Sequence, residues 1–412
     1  MAKINNKMRT KVQLFLKITI ICFIFTKTYT QSSIKTFQND RICLGAERFS
    51  KYKNLLKNKR VGMVVNQTSV VGKNKTHIVD TLLKQGIKIT KIFAPEHGFR
   101  GEADAGEKVD NTTDAKTGIS ILSIYGKTRK PSPEMLKDLD VLVFDIQDVG
   151  VRFYTYISTL EYVMEACAEN NIPIILLDRP NPNGHYVDGP ILEKSLKSFV
   201  GMQSIPIVHG MTIGEYAQML NTEGWLAKGV KCQLTVINCK KYDHKSFYEL
   251  PVKPSPNLPN IRSIYLYPSI CFFEGTNVSL GRGTDKQFQI YGSPFYPKEK
   301  AEFEFTPRPF EGAKQPPLEG RLCYGFDLTT LKPQDLQLEK QINLTYILKM
   351  YKDFTNKDSF FLKNNFIDRL AGTTLFQKQI REGKSESEIR ATWQAGLIAF
   401  KKIRKKYLLY KD

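Results

Sequence analysis

The chain has 412 residues, of which 41% are hydrophobic and 25% charged, the balance of a globular protein and not of a disordered one. Its length allows about two or three domains. The net charge of +20 favours anionic surroundings such as wall polymer, lipid headgroups or nucleic acid. The basic residues are scattered, however. The densest run, Lys401-Lys402-Ile403-Arg404-Lys405-Lys406, reads as a solvated helix end, and no nucleic-acid module signature accompanies it.

Residues 1–30 read as a signal peptide. Lys3, Lys7, Arg9 and Lys11 precede an apolar run, 14–25, broken by Lys17, and Thr28 and Thr30 stand at cleavage spacing before Gln31. The run is short for a membrane span, which needs about 20 apolar residues. An exported chain, periplasmic or secreted and without membrane insertion after cleavage, is expected; an uncleaved anchor is the alternative. Removing the six basic residues of this segment takes the charge from +20 to +14. The remaining cysteines, Cys43, Cys167, Cys232, Cys239, Cys271 and Cys323, show no C-x-x-C spacing and read mostly as buried thiols. Cys232 and Cys239 could pair if the chain between them turns back.

From residue 61 strand and helix signals alternate. Runs at 61–65, 87–93, 119–124, 141–146 and 173–177 are strand-like, and helical patterns lie at 76–83, after Pro131-Ser132-Pro133-Glu134, and at 154–168. Strands separated by helical segments imply crossovers and a parallel sheet, with the helix-leading loops on one edge. Beyond Asn183-Gly184 the pattern loosens. A short strand is expected at 205–208, a capping box at Thr212-Ile213-Gly214-Glu215 opens a helix to Leu220, and 231–237 is another strand. Four prolines in 251–260 end regular structure, so a boundary falls there. The division expected is 1–30 signal peptide, 31–255 catalytic domain and 256–412 a smaller α+β domain, with helical stretches at 341–354 and 387–407.

Open α/β sheets bind ligands beyond the carboxyl ends of their strands. Polar residues gather there: Asn66 and Gln67 after the first strand, Glu96, His97 and Arg100 after the second, and Tyr125 after the third. Asp145, Gln147, Asp148, Arg152, Tyr154 and Tyr156 follow the fourth, and Asp178 and Arg179 the fifth. No G-x-G-x-x-G or G-K-[ST] motif opens the first turn, so a nucleotide role is not indicated, and no G-x-S-x-G elbow supports a serine nucleophile. The five histidines are not at ligand spacing from one another, so no metal and no cofactor is expected.

Carboxylates remain. Glu96, among apolar neighbours such as Phe93 and Phe99, would suit a general acid; its plainer reading is a loop hydrogen-bond acceptor. Asp145 and Asp148 could face a substrate or form a salt bridge with Arg152. Asp178 and His209 are open to structural and ligand roles alike. Two carboxylates with aromatic and arginine side chains in a cleft suit glycosidic cleavage, with Tyr154, Tyr156 and Phe99 available to stack on a sugar.

The segments Phe93-Ala94-Pro95-Glu96-His97-Gly98-Phe99-Arg100-Gly101, Asp104-Ala105-Gly106-Glu107, Leu177-Asp178-Arg179-Pro180-Asn181-Pro182 and His209-Gly210-Met211-Thr212 carry a family resemblance. So do Phe144-Asp145-Ile146-Gln147-Asp148 with Arg152-Phe153-Tyr154-Thr155-Tyr156, Pro254-Ser255-Pro256-Asn257, and Phe273-Glu274-Gly275 through Arg282-Gly283-Thr284. Together they resemble the exo-β-N-acetylmuramidase family of the NamZ type, glycoside hydrolase family 171, over nearly all of the chain beyond residue 45. The resemblance implies a Rossmann-like parallel-sheet domain with a smaller α+β C-terminal domain completing a cleft. It implies release of N-acetylmuramic acid from non-reducing ends of peptidoglycan fragments, with muramic-acid-terminated saccharides as the partners. Glu96 becomes the leading catalytic residue. Asp145 or Asp148 would orient the substrate acetamide or activate water, and Arg152 or Arg282 would hold the lactyl carboxylate. Asn66, His97, Arg100, Tyr154, Tyr156, Asp178, Arg179, His209 and Glu274 complete the expected substrate contacts. A non-catalytic glycan-binding protein with the same cleft is the rival reading, and a metal-dependent amidase or deacetylase a weaker third.

Overall fold

The computed structural model describes residues 41–96, 98–99 and 111–412; the expected signal segment 1–30 lies outside them. Seven strands form the main sheet among the described residues: β1 (Val61–Val65), β2 (Ile89–Ala94), β3 (Thr112–Thr113), β4 (Ser120–Ser123), β5 (Val141–Asp145), β6 (Ile174–Leu177) and β7 (Leu234–Ile237). Their spatial order is β3-β4-β2-β1-β5-β6-β7, parallel throughout except for β3 against β4. Without β3, the order by sequence is 3-2-1-4-5-6, the doubly wound arrangement whose crevice opens where the order reverses, at β1 and β5.

The continuous apolar runs of the inner strands follow from burial on both faces. Val61, Met63, Val65, Val141, Val143, Ile175 and Leu177 join one core with α1 (Ile78–Lys84). The intervening Val64, Leu142, Phe144, Ile174 and Leu176 point into the other. That second core includes side chains of α3 (Tyr156–Glu169) and α4 (Ile213–Thr222); α2 (Pro133–Leu136) lies between β4 and β5 in sequence. Burying each such side chain stabilises the fold by roughly 1.5–3 kcal/mol. α2 starts as its sequence requires, with Ser132 Oγ accepting the Met135 N–H at 3.3 Å and proline in the first turn. The capping box Thr212–Glu215 opens α4 as expected.

The same core continues through the C-terminal part. There α5 (Ile261–Ile270), a three-stranded antiparallel sheet of β8 (Ile290–Ser293), β9 (Phe303–Phe305) and β10 (Cys323–Asp327), and six helices follow. The helices are α6 (Pro333–Glu339), α7 (Thr345–Asp353), α8 (Phe366–Ala371), α9 (Leu375–Arg381), α10 (Glu386–Ala391) and α11 (Gln394–Arg404).

Several local expectations change. Residues 205–208 are not a strand: Val208 makes only isolated bridges with Val151 and Asp188. The stretch 387–407 is two helices, α10 and α11, broken at Thr392 and Trp393. Regular structure resumes directly after the proline-rich segment, because Asn260 and Ser263 form a capping box that starts α5. Cys232 and Cys239 are both unbridged. The extended β7 lies between them, so at roughly 3.3 Å per residue they are far beyond disulfide reach.

Beneath the strand ends lies one buried ion pair. Arg179 Nε and a terminal nitrogen donate to Asp145 Oδ1 and Oδ2 at 2.6 and 2.8 Å, with both side chains out of solvent. The same guanidinium reaches Val70 O at 3.2 Å, and so ties β5, β6 and the loop after β1 together. Removing one partner strands a buried charge. Asp145→Ala is expected to cost about 3–5 kcal/mol of unfolding free energy, read from urea denaturation.

Candidate active site

Glu96 follows Pro95 at the end of β2, and its carboxylate is held from two sides. Tyr125 Oη donates to Oε1 at 2.8 Å and Thr155 Oγ1 to Oε2 at 2.6 Å. Thr155 stands at the N-cap of α3, yet its hydroxyl is turned to Glu96 and makes no cap bond with its own helix. The glutamate therefore has a set orientation on the wall of a cavity of about 350 Å³, near the small end of the usual range for ligand sites. Phe153, Tyr154, Phe199, Tyr267 and Phe288 supply its aromatic surface. Asn257 Oδ1 and Ser198 Oγ, both on the wall, are buried without a hydrogen-bond partner among the described residues. Buried polar atoms are normally satisfied, so these two suit the hydroxyl or amide groups of a ligand.

A larger cavity of about 780 Å³ adjoins it, walled by the loop at 312–318 and the segment at 273–282. Glu274, Arg282 and Phe366 belong to both cavities. An Arg282 nitrogen donates to Glu274 Oε1 at 2.5 Å, while the guanidinium lies over the Phe288 ring at 5.1 Å. An ion pair therefore stands at the junction.

Of the residues expected from sequence, Glu96, Tyr154, Glu274 and Arg282 line the small cavity. His97 and Arg100 lie outside the described residues. The others are brought close in the chain but turned inward. Asn66 is fully buried, its Oδ1 accepting from Thr68 N and Oγ1 at 2.9 and 2.6 Å, and its amide donating to Tyr156 Oη at 2.8 Å. Tyr156 is thereby part of the support, stacked edge-on against Tyr154 at 5.0 Å. Phe99 likewise packs edge-on against His77 in the sheet core.

Asp145 and Arg179 are consumed by their mutual pair. Arg152 is completely buried and donates to four carbonyls: Pro190 O and Ile205 O at 2.9 and 2.7 Å, Leu370 O and Ala371 O at 2.9 and 2.8 Å. It forms no salt bridge with Asp145 or Asp148 and does not reach the cavity, so the expectation that it holds a substrate carboxylate is corrected. The carbonyls it holds would otherwise be unsatisfied. Asp178 accepts from Gly214 N, Thr212 Oγ1 and Tyr410 Oη at 2.9, 2.8 and 2.6 Å, joining β6 to α4 and the C-terminal segment. Burial pushes its carboxyl up to about 6. His209 is fully enclosed, and burial, with Arg404 and Arg152 nearby, pushes its imidazole down to about 3, which makes it a neutral core histidine.

Asp148 is also enclosed. It accepts the Gly150 N–H at 2.7 Å, and burial raises its carboxyl from 3.8 to about 7. Gly150 has φ +76°, and a Cβ there would lie 2.1 Å from Asn181 Oδ1, so this turn requires glycine. Neither aspartate touches the cavity.

Sequence reasoning left out Arg129, Thr155, Ser198, Phe199, Asn257, Tyr267, Phe288 and Arg369 as site residues, all of which line the cavity. Thr155 and Asn257 lay inside quoted motifs and Tyr125 at a strand end. Arg129 and Arg369 carried no local signal.

A cavity of about 350 Å³ with a fixed carboxylate at the crevice of a doubly wound sheet defines an α/β protein with a small-molecule site at its strand ends. Comparison with known proteins narrows this. The model "Exo-beta-N-acetylmuramidase NamZ, N-terminal" matches residues 61–262, and its C-terminal counterpart matches 265–410. The chain belongs to that family. It is 42% identical over 373 residues to the peptidoglycan beta-N-acetylmuramidase NamZ of Bacillus subtilis (strain 168), covering 87% of this chain and 89% of that one. A DUF1343 family protein from Bacteroides fragilis NCTC 9343, known from its crystal structure, is 49% identical, with a TM-score of 0.83 over 90% of this chain and 99% of that one. A second DUF1343 protein from the same organism has 30% identity and a TM-score of 0.76 over the same shares.

The raised carboxyl of Asp148 has a sign that can be tested. The unfolded chain releases this proton near 3.8, whereas the folded chain keeps it to about 7. Between those values the folded state holds more protons, so the residue's contribution to stability falls as pH rises. Asp148→Asn is expected to flatten the decline in unfolding free energy between pH 4 and pH 7, measured by denaturant titration at each pH.

Proposed function

We infer that this protein is an exo-acting glycoside hydrolase that releases N-acetylmuramic acid from the non-reducing ends of peptidoglycan fragments. The observation that carries this reading is Glu96, fixed by two hydroxyls on the wall of a cavity sized for one sugar, in a chain of the exo-β-N-acetylmuramidase family. The small cavity takes the terminal muramic residue, and the larger one beyond Glu274 and Arg282 takes the leaving saccharide. Glu96 gives its proton to the glycosidic oxygen as the bond to the anomeric carbon breaks, and a water oxygen then bonds to that carbon while a water proton restores the carboxyl. Its hydroxyl partners can exchange donor and acceptor roles as the carboxyl changes state. Asp145 and Asp148 do not reach the cavity, so the second carboxylate role passes to Glu274, whose charge faces the positive centre of the oxocarbenium-like transition state. The chain is proposed to divide near residue 255, with the cavity walled from both parts. Export with cleavage before Gln31 is also proposed, from the basic and apolar pattern of residues 1–30. Mass spectrometry of the exported protein would then give a chain starting at Gln31; an intact Met1 would mark an anchor.

Two substrates separate the roles of the carboxylates. On a muramic-acid-terminated oligosaccharide, Glu96→Gln is expected to lower kcat by about 10²–10⁴-fold. On a nitrophenyl muraminide, whose leaving group departs without protonation, the loss should shrink sharply. Glu274→Gln should slow both substrates alike. Undiminished oligosaccharide turnover in Glu96→Gln would remove that residue from the mechanism, and binding without any product in the unaltered protein would point to a glycan-binding protein instead.

A further inference from the structure

Three arginines line the small cavity: Arg129, Arg282 and Arg369. Arg282 is taken by Glu274. The other two are exposed and have no carboxylate partner among the described residues. Glu96, the remaining carboxylate on the wall, is engaged by Tyr125 and Thr155. Neither Arg129 nor Arg369 is therefore tied up in an ion pair among the described residues, which leaves both guanidinium groups available to an anionic ligand.

Each of the two is mounted on a firm support. The Arg129 guanidinium lies over the Phe199 ring at 4.3 Å, a contact worth more when solvent is displaced. That ring is stacked parallel to Tyr162 at 6.2 Å, and Phe199 O accepts from Ser158 Oγ at 2.7 Å, so α3 holds the platform. The neighbouring Ser198 Oγ is buried without a partner among the described residues. Arg369 stands on α8, three residues after Phe366, so the two share a helix face; both line the cavity. The end of α8 is clamped by Arg152 through Leu370 O and Ala371 O, and Glu193 N–H donates to Gly372 O at 2.8 Å. A Cβ on Gly372 would come within 2.5 Å of Arg152, so the clamp has no slack.

We propose that Arg129 and Arg369 bind the carboxylate of the lactyl ether on the terminal sugar, and so select muramyl over glucosaminyl ends. Arginine presents paired N–H donors that match a carboxylate in geometry and charge. The role first given to Arg152 or Arg282 thus moves to two other arginines on the cavity wall, since Arg282 is paired with Glu274, and Arg152 positions one of them. This inference rests on the muramidase reading of the cavity.

Calorimetric binding of N-acetylmuramic acid and of its lactyl methyl ester tests it, because the ester keeps the shape and removes the charge. The unaltered protein should bind the acid more tightly than the ester. Arg129→Gln and Arg369→Gln should each cut that acid-to-ester ratio by about 10- to 100-fold, the range of a lost charge-assisted pair. Arg369→Lys should retain part of it. A loss of fold would weaken both ligands together and leave the ratio, so only a change in the ratio counts in favour. Equal binding of acid and ester by the unaltered protein, or a ratio unchanged in both glutamine variants, overturns the assignment. Nitrophenyl muraminide turnover by the unaltered protein is read separately. Its absence sinks the functional reading, whereas turnover with an unchanged ratio sinks only the arginine assignment.

Discussion

The buried guanidinium of Arg152 is the joint on which the cavity depends. It follows β5 by seven positions, yet two of the carbonyls it holds belong to α8, more than two hundred residues along the chain. Its backbone leads directly into Phe153, Tyr154 and Thr155, all on the cavity wall. One side chain therefore fixes the wall that carries the acid relative to the wall that carries Phe366 and Arg369. Arginine suits this use because its planar fork offers several donors at fixed angles, enough for four carbonyls at once.

Around that joint the strand ends are bound together by a second layer of polar contacts. Asp145 with Arg179, Asn66 with Tyr156, and Asp178 with Thr212 and Tyr410 each connect different loops. These groups face the protein, and the charge they bury is paired or, in Asp148, Asp178 and His209, shifted towards neutrality. Glu96, by contrast, stands at a position that keeps access to the cavity.

This division explains what could be read in advance. The parallel sheet was legible because its inner strands are largely apolar runs, and α4 because its capping box is written in four residues. Polarity at the strand ends located the right edge of the sheet. It could not separate residues that meet a ligand from residues that tie loops to one another, because Asn66, Asp145, Asp178 and Arg179 have the same polarity and the same placement in the chain as Glu96. Arg369 looks like any surface cation of a short helix until α8 is folded against Arg152. The antiparallel strands β8, β9 and β10 were missed as well; prolines recur in the segments between them, and their pairing is set by contacts distant in sequence.

The mounting of side chains on α3 bears on how the cleft moves. Thr155 at its start holds Glu96, while Ser158 and Tyr162 hold the Phe199 platform beneath Arg129. Glu96 and the platform of Arg129 are therefore braced by the same helix. Glu274 and Arg369 come from the other wall. One side of the cavity is thus braced by a single helix, and the other by groups of the C-terminal part.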